Sequence, residues 1–429
     1  MPFMIPEKAF DRLLGLDDGW EVRSAEYEIE PAERFVLHLY ETDKLWAKLV
    51  CPHETCRGTK ITCYDHVEPR VWRHVDAFNK HTELVCALPR GECCACHAVF
   101  RVKAPWEGEG KHFTRDFEAF VLTLIREMPV KKVGQIVHED DTRLWRMLFA
   151  HVAKAYAALD LSELVHLGAD EANCRKGHDY LTVFVDLVKN RVIYATEGKD
   201  AQTFEQFVAE LVKHNGNPKS ITQVALDMSP AYTRGVQDNL GNAQIVYDKF
   251  HVTALANEAV DEVRRKETRS GDADAQAQLA KTRYLFLKNP DNLSESEAAR
   301  MQALDLKHLA TGQAYEMRLE LQDIYRCRTA EKARERFGYW INWVEARAET
   351  IGPLLAPMQR VAKTIKKHLE GVLAHWQDGL TTAFLEGLNS VFSAVKRKAR
   401  GYRSSVYMIT MLYLVAGKLN LPSVLSPLK

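Results

Sequence analysis

Residues 163–198 read ELVHLGADEANCRKGHDYLTVFVDLVKNRVIYATEG. This segment contains three runs rich in apolar and β-branched side chains, ELVHLGAD, YLTVFVDL and RVIYATEG, and has a short polar break at VKN. Runs of this length and composition are typical of β-strands, and short polar breaks are typical of turns between neighbouring strands. The segment therefore predicts an antiparallel meander.

The chain after the meander alternates predicted helices and strands. The predicted elements are a helix over 201–213, the strand ITQVALD (221–227), a helix that begins near Pro230, the strand AQIVYD (243–248) and a long helix from His251. This order is typical of a mixed sheet flanked by helices. Residues 252–380 contain no convincing strand run and repeat Leu, Ala, Glu, Lys and Arg at helical spacing, which predicts a large α-helical insertion.

Two further modules are predicted before the meander. Residues 20–50 alternate apolar and polar side chains in WEVRSAEYEIE and RFVLHLYE, which predicts short strands in a small β-rich module. Three short helical segments follow from His112, and Asp141 is the expected cap of the third. Three short helices in this order predict a helix-turn-helix domain, with a boundary near 103–111.

The composition is that of a globular protein. Of 429 residues, 46% are hydrophobic and 27% charged, and the net charge is zero, so nucleic-acid binding would depend on local basic faces. The sequence shows no apolar run near the roughly 20 residues of a membrane helix. Its N-terminus lacks the pattern of a signal peptide, so we expect a cytoplasmic chain with reduced thiols and no membrane partner.

Three acidic residues are the candidate catalytic centre. Asp170 and Asp227 each end a predicted central strand, and Glu386 lies on a predicted helix whose apolar side chains recur on one packing face. Hard divalent ions prefer carboxylate oxygens, and converging carboxylates suit phosphoryl transfer. An aspartate after a strand is more often a turn residue or a helix cap, so spacing alone does not decide the assignment.

Other residues compete for these roles. Glu171 adjoins Asp170, and Asp186 and Asp248 end further predicted strands, which makes the last two the second choices. His251 suits DNA contact or proton transfer, and capping the following helix is the alternative.

Two short cysteine pairs predict a zinc site. Seven of the nine cysteines fall between Cys51 and Cys96. The pairs are Cys51 with Cys56 and Cys93 with Cys96, which together offer four thiolates to a tetrahedral Zn²⁺. The alternatives are His53, Cys94 or His97 as ligands, or buried free thiols throughout, the class to which we assign Cys63 and Cys86.

Basic residues at three places are candidate DNA contacts. Arg143 and Arg146 lie on the third short helix, which would be the recognition helix, and a purely structural role is the alternative. A basic run follows Glu386 and would contact phosphates, although such runs are often only solvated faces. The run comprises Lys396, Arg397, Lys398, Arg400 and Arg403. Around Arg70, Arg73 and Arg90, packing is as good an interpretation as phosphate contact.

Five segments resemble, in order, the blocks of the ISL-three family of insertion-sequence transposases. They are GADEANCRKGHDYLTVFVDL, VALDMSPAY, VYDKFHV, RYLFLKNPDNL and LEGLNSVFSAVKRKARGYR. The resemblance extends from about Cys51 to Tyr402. It departs from the family at CPHETC, which is wider than the expected CPxC, so His53 is an alternative ligand to one cysteine of the first pair.

The resemblance implies a DDE transposase with an RNase H-like mixed sheet and a helical insertion before the last acidic residue. Asp170, Asp227 and Glu386 match the family's carboxylates and would hold two Mg²⁺ (or Mn²⁺) ions. Such an enzyme cleaves DNA at the transposon ends and joins the 3′ ends to target DNA. The zinc and helix-turn-helix region would recognise the terminal inverted repeats, and a homodimer or larger assembly on double-stranded DNA is implied.

The predicted fold is a multidomain α/β chain. Its expected parts are a β-rich N-terminal and zinc-binding module (1–105), a helix-turn-helix domain (111–158), the first part of the RNase H-like core (161–255), the α-helical insertion (256–375), and the final core helix with the basic C-terminal region (376–429). Two rivals stay open: an inactive DNA-binding regulator on the same scaffold, and an RNase H-like nuclease or resolvase.

Overall fold

The computed structural model describes residues 7–30, 33–173, 180–271, 273–376, 383–399 and 401–424. The chain divides into two compact units. The first unit holds the chain up to Leu159, with 398–400 and the residues from Leu419 onward. The second unit comprises Asp160–Arg397 and Gly401–Lys418.

The first unit begins with β-structure. Its elements are α1 (Glu7–Leu13), β1 (Trp20–Glu28), β2 (Arg34–Glu41), α2 (Asp43–Lys48), β3 (Ile61–His66), β4 (Arg70–Ala77), β5 (Lys80–Cys86), β6 (Pro89–Cys93) and β7 (Val99–Arg101). They form a four-stranded sheet in the order β1-β2-β5-β4 and a three-stranded sheet in the order β3-β6-β7. Trp106 packs edge-to-face against Trp20 and Trp72, at 5.0 and 5.7 Å between ring centroids, in the larger sheet's core. The strands predicted over 20–50 are present as β1 and β2.

Three helices complete the first unit: α3 (Arg115–Glu127), α4 (Val130–Val137) and α5 (Asp141–Ala157). The Oγ1 of Thr114 caps α3 by accepting from the Phe117 amide. His138, at a φ of 55°, ends α4. The predicted cap of α5 is wrong by one residue, because Asp140 and not Asp141 accepts from the Thr142 amide, at 2.8 Å. Asp140 has the extended backbone that an N-cap needs, whereas Asp141 is already helical.

The second unit contains a five-stranded mixed sheet. Its elements are β8 (His166–Asn173), β9 (Tyr180–Asp186), β10 (Arg191–Glu197), α6 (Gln202–Lys213), β11 (Gln223–Leu226), α7 (Pro230–Asn239) and β12 (Gln244–Tyr247). The order is β10-β9-β8-β11-β12. β8, β9 and β10 pair antiparallel, which confirms the predicted meander, whereas β11 runs parallel to both β8 and β12. Helices α6 and α7 provide the crossovers that parallel neighbours require.

The sheet buries aromatic side chains against α6. Phe184 of β9 stacks on Phe207 with 4.5 Å between ring centroids and meets Phe204 edge-on at 5.1 Å. All three rings are fully buried. This packing fixes α6 on one face of the sheet and gives the strands a rigid support.

Helices make up the rest of the second unit. They are α8 (Lys249–Ser270), α9 (Ala273–Leu279), α10 (Arg283–Leu287), α11 (Glu295–Gln302), α12 (Ala310–Ile324), α13 (Ala330–Ile351), α14 (Ala356–Lys367), α15 (Leu369–Leu373), α16 (Ala383–Ala399) and α17 (Ser405–Ala416). Between 249 and 376 the described elements are all helical, as predicted. No helix in the described ranges is both long and apolar enough to cross a membrane.

A buried carboxylate organises this helical region. Glu267 of α8 accepts hydrogen bonds from the backbone amides of Ala310 and Thr311, both at 2.7 Å. These amides lie at the start of α12, where helical N–H groups lack partners and the helix dipole favours a negative charge. Glu267 therefore caps α12 from a neighbouring helix and joins two distant parts of the chain.

Candidate functional site

Asp170 and Asp227 lie at the same edge of the mixed sheet. Asp227 directly follows β11, the parallel neighbour of β8, as predicted. The prediction that Asp170 ends its strand is wrong, because β8 continues to Asn173 through its pairing with β9. In the register of these strands Ala225 pairs with Gly168. Continuing that register by two residues places Asp227 opposite Asp170. The side chains of residues opposite one another on neighbouring strands lie close together, so the two carboxylates form the start of a site.

The Asp170 carboxylate is buried, with 8% of the residue exposed. It accepts hydrogen bonds from the Glu171 amide at 2.7 Å and from Asn389 Nδ2 at 2.6 Å, and His251 Nε2 lies 4.0 Å away. Burial raises the pKa of Asp170, and the charge of Asp227 acts in the same direction, against the effects of His251 and the two donors. A cation bound here would favour the charged form of this buried carboxylate, and carboxylate oxygens are the donors that Mg²⁺ and Mn²⁺ prefer.

Asp227 is held by the turn that starts α7. Its Oδ1 accepts from the Ser229 amide at 2.9 Å, and Pro230 follows at the first position of the helix. Tyr232, in the first turn of α7, is buried, and its hydroxyl lies 2.8 Å from Thr182 Oγ1 of β9. Burial raises the pKa of Tyr232, so the phenol remains protonated behind the carboxylates.

Glu386 lies on α16, but its side chain falls outside the described residues. Asn389 is three residues further along the same helix and donates to Asp170. Helix positions three apart are neighbours on one face, so the backbone position of Glu386 shares a face with Asn389. On the part of the predicted packing face that the structure describes, Leu388, Phe392 and Val395 are buried.

The competing carboxylates occupy different positions. Asp186 lies at the opposite edge of the sheet, where it accepts from the amides of Val188 and Lys189 and pairs with Arg191 at 3.3 Å. It therefore holds the turn between β9 and β10. Glu171 follows Asp170 on β8 and so points to the other face, with Lys199 at 4.0 Å.

Asp248 lies at the same edge as Asp227 but serves a helix. It directly follows β12, is buried, and accepts from the Phe250 amide at 2.9 Å as the cap of α8. The capping role considered for His251 is therefore wrong, because Asp248 fills it. His251 lies in the first turn of α8, where its ring approaches Asp170.

The four sulfur atoms of Cys51, Cys56, Cys93 and Cys96 lie within 4.8 Å of one another. Sγ atoms are 3.6 Å apart in the pair Cys51–Cys96 and 3.7 Å apart in Cys56–Cys93. A tetrahedral Zn²⁺ with bonds of about 2.3 Å requires sulfur separations of about 3.8 Å, so the donor set fits zinc.

Local backbone geometry shapes this cluster of four cysteines. His97 has a φ of 55°, and its amide donates to the Cys93 carbonyl at 2.8 Å, which closes the second pair into a turn. Backbone amides of Ala95 and Cys96 lower the pKa of Cys93, because both donate to its sulfur and favour the charged form that a metal ion binds. Among the alternative ligands, His97 lies 3.1 Å from Glu92 and His53 lies 3.2 Å from Thr55.

The two cysteines assigned to the buried class differ. Cys86 is buried at the end of β5, as expected. The assignment of Cys63 is wrong, because Cys63 is exposed on β3, a strand on which Ile61 is buried and the following side chains face outward.

The candidate DNA-binding cations are mostly exposed. Arg143 pairs with Glu139 at 2.6 Å, and Arg146 is exposed on the same helix. Lys396 donates to the Asn173 carbonyl at 2.9 Å, and Arg397 to the Ser393 carbonyl within its own helix. Lys398 and Arg403 are exposed, and Arg400 lies outside the described residues.

The basic residues of the N-terminal module serve packing. Arg73 is 3% exposed, pairs with Asp76 at 2.5 Å and donates to the Val137 carbonyl at 3.0 Å. Arg70 pairs with Glu107 at 2.9 Å. Because both guanidinium groups already pair with other groups of the protein, the structure favours the packing interpretation for both.

Two residues near the carboxylates, Asn389 and Tyr232, were not predicted. Asn389 stands in LEGLN, three residues after Glu386, and its spacing to that acidic residue could have indicated it. Tyr232 stands in SPAY, five residues after Asp227, where an aromatic residue in the first helical turn is an ordinary packing feature. The contact with Thr182 that brings it to the site has no local sequence signal.

Comparisons with protein families define the class. Residues 167–412 match a family described as "Transposase", of the DDE type, and residues 102–152 match the "Helix-turn-helix domain of transposase family ISL3". The first match spans more than half of the chain and includes the mixed sheet with Asp170 and Asp227. The protein is therefore an enzyme of the transposase class. The chain belongs to the ISL3 family of insertion-sequence transposases.

Individual relatives agree with this assignment. The chain is 28% identical to the transposase for insertion sequence element IS1001 of Bordetella parapertussis, over 94% of this chain and 97% of that protein. It is 25% identical to the transposase for insertion sequence element IS1557 of Mycobacterium tuberculosis, over 85% of this chain and 86% of that protein. A DDE transposase domain implies dependence on a divalent metal, and the helix-turn-helix domain indicates DNA binding.

Proposed function

We propose that this transposase binds the terminal inverted repeats of its element, cleaves DNA at the transposon ends and joins the 3′ ends to target DNA. Asp170, Asp227 and Glu386 would be the ligands of two Mg²⁺ (or Mn²⁺) ions. The observation that carries the proposal is the junction of β8, β11 and α16. There Asp227 follows the strand beside Asp170, and Asn389 ties the helix of Glu386 to the Asp170 carboxylate.

The fold supports an RNase H-like core. The five strands, with β8, β9 and β10 antiparallel and β11 and β12 parallel to β8, agree with the mixed sheet that the family resemblance implies. In this proposal the core begins in 161–255, the helical insertion occupies 256–375, and 376–429 returns to the core with Glu386. The N-terminal parts, 1–105 and 111–158, would bind zinc and DNA.

The chemistry assigns distinct tasks to the protein's own groups. Two bound divalent ions would stabilise the attacking and leaving oxygens of an in-line phosphoryl displacement. Asp170 within β8 and Asp227 after the neighbouring strand β11 would bind these ions, and Glu386 would complete the donor set from α16. Asn389 would orient the Asp170 carboxylate, and His251 would contact the scissile phosphate or hold a proton, since its ring lies 4.0 Å from Asp170.

DNA binding would involve three regions. Zn²⁺ held by Cys51, Cys56, Cys93 and Cys96 would fix the N-terminal module. Arg143 and Arg146 on α5 would face the terminal repeat. Phosphate contacts would come from Lys396, Arg397, Lys398, Arg400 and Arg403, which follow Glu386 in the sequence. Because both transposon ends must be brought together, a homodimer or larger assembly on DNA is part of the proposal.

Strand cleavage and joining on a labelled terminal-repeat duplex test the proposal. With Mg²⁺ or Mn²⁺, the native protein should release a 3′-hydroxyl end and join it to a second duplex. Cleavage without joining would favour a nuclease or resolvase. Specific binding without either product would favour a regulator on an inactive scaffold.

A further inference from the structure

A second cluster of metal-ligating side chains lies in the first unit. It consists of Glu41, Cys63 and His66, whose donor atoms all lie within 4.8 Å of one another. Glu41 is the last residue of β2, and the other two belong to β3. We propose that these side chains form a second metal site of the chain, suited to Zn²⁺, with the fourth coordination position open to solvent.

A bulge in β3 brings Cys63 and His66 together. In a regular strand, residues three apart point to opposite faces. The pairing of β3 with β6 shifts between Cys63, opposite Gly91, and Asp65, opposite Arg90, so β3 contains one extra residue. Because a bulge of this kind reverses the alternation of side chains, the sulfur and the imidazole reach the same side of the strand. Bulges commonly re-aim a side chain in this way next to functional sites.

The donor set is one that zinc accepts. Zn²⁺ binds thiolate, imidazole and carboxylate, and sites with three protein ligands keep a fourth position for water or another molecule. His66 Nε2 already lies 2.7 Å from Glu41 Oε1, so two of the three ligand atoms are close together before an ion binds. The side chains of His66 and Glu41 are 43% and 17% exposed and Cys63 is exposed, which gives an ion direct access.

The position of the cluster suggests its role. β2 belongs to the four-stranded sheet and β3 to the three-stranded sheet that also contains Cys93. Trp46 and Leu49 pack against the apolar cores of both sheets. An ion held by Glu41 from one sheet and by Cys63 and His66 from the other would cross-link them and fix the four-cysteine cluster against the larger sheet.

Zinc stoichiometry tests this proposal. The full-length protein and the variant Cys63→Ser with His66→Ala are dialysed to equilibrium against buffered free Zn²⁺ with a non-thiol reductant, and bound zinc per chain is measured by mass spectrometry. A matched control is Cys327→Ser with His308→Ala, which removes a cysteine and a histidine of the helical insertion, away from both metal-ligating clusters. Far-ultraviolet circular dichroism follows the folding of each variant.

The expected result is one zinc ion fewer in the Cys63/His66 variant than in the native protein, and no loss in the control. This difference does not depend on occupancy of the four-cysteine cluster, so it separates the proposal from the assigned zinc ligands. With zinc present, the native protein should also unfold at a higher temperature than the variant does. Equal zinc content in the native protein and the Cys63/His66 variant would overturn the proposal, and so would an equal loss in the control.

Discussion

Asn389 of α16 donates a hydrogen bond of 2.6 Å to the Oδ2 of Asp170 on β8, across 219 positions of sequence. The bond spans the helical insertion and attaches the helix of Glu386 to the sheet edge that carries the two aspartates. It also occupies one oxygen of a buried carboxylate. The other oxygen, Oδ1, accepts from the Glu171 amide and is the one that His251 approaches. Asn389 is therefore a positioning residue in this account.

Replacement of Asn389 by alanine should slow strand cleavage. A hydrogen bond to a charged group contributes about 1.5–3 kcal/mol, so we expect the rate to fall about tenfold or more if the bond positions Asp170 during the reaction. Single-turnover cleavage at saturating metal measures this loss. Asn342→Ala, an exposed asparagine of α13, is the control and should keep the native rate. An unchanged rate for Asn389→Ala would show that the bond serves packing alone.

Much of this site was predictable because strands have strong local signals. The apolar runs before Asp170 and Asp227 predict β8 and β11, although β8 continues beyond Asp170 to Asn173, and the helical spacing around Leu388 and Phe392 predicts α16. The contact between Asn389 and Asp170 could not be predicted, since it depends on how a long insertion returns to the sheet. Local spacing could not settle capping between Asp140 and Asp141 either, because both residue types can cap.

The exposed position of Cys63 has a similar explanation. A cysteine within a dense cluster of thiols is as compatible with a buried role as with an exposed one, and the choice depends on which face of β3 meets the core. Ile61 and Cys63 share a face by strand alternation, yet only Ile61 is buried, so the core covers β3 at its start and not at Cys63. The position of Cys63 along the strand, rather than composition, therefore decided the outcome.

Loss of the buried carboxylate Glu118 should destabilise the helix-turn-helix domain. Glu118 is 1% exposed, lies 2.7 Å from His151 Nε2, and accepts from the amides of Glu109 and Gly110. Glu118→Ala leaves these donors without an acceptor, so we expect the free energy of unfolding to fall by about 3–5 kcal/mol. Urea denaturation measures the change. Lys154→Ala removes only an exposed pair with Glu109 and should cost less than about 1 kcal/mol; equal effects would contradict the role of Glu118.

Removal of one sulfur from the four-cysteine cluster should release zinc. Cys93 is fully buried between the other sulfurs, so Cys93→Ser should lower the zinc content by one ion per chain and weaken binding to the terminal repeat. Metal analysis and a DNA-binding titration measure both effects. Cys327→Ser, in the helical insertion, is the control and should change neither. Native zinc content in Cys93→Ser would mean that these four residues are not the ligands.

Cations in different regions should affect DNA binding differently. Arg403→Ala removes a proposed phosphate contact, so affinity should fall equally for all sequences and the salt dependence should decrease by about one counterion. Arg146→Ala should instead reduce discrimination between the terminal repeat and unrelated DNA, by about 1–3 kcal/mol. Titrations on both duplexes at several salt concentrations separate the two effects. Arg326→Ala, whose partner is Asp323, is the control; the opposite pattern for Arg403 and Arg146 would reverse their assigned roles.

The most direct test of the central claim is cleavage and joining by Asp170→Asn, Asp227→Asn and Glu386→Gln, with Glu171→Gln and Asp186→Asn as matched carboxylate controls. Each variant is first shown to bind the labelled terminal-repeat duplex as the native protein does. The account predicts that the first three lose both reactions while the two controls retain them. Cleavage and joining by Glu386→Gln at the native rate, or their loss in Asp186→Asn together with normal activity of Asp170→Asn, would contradict it.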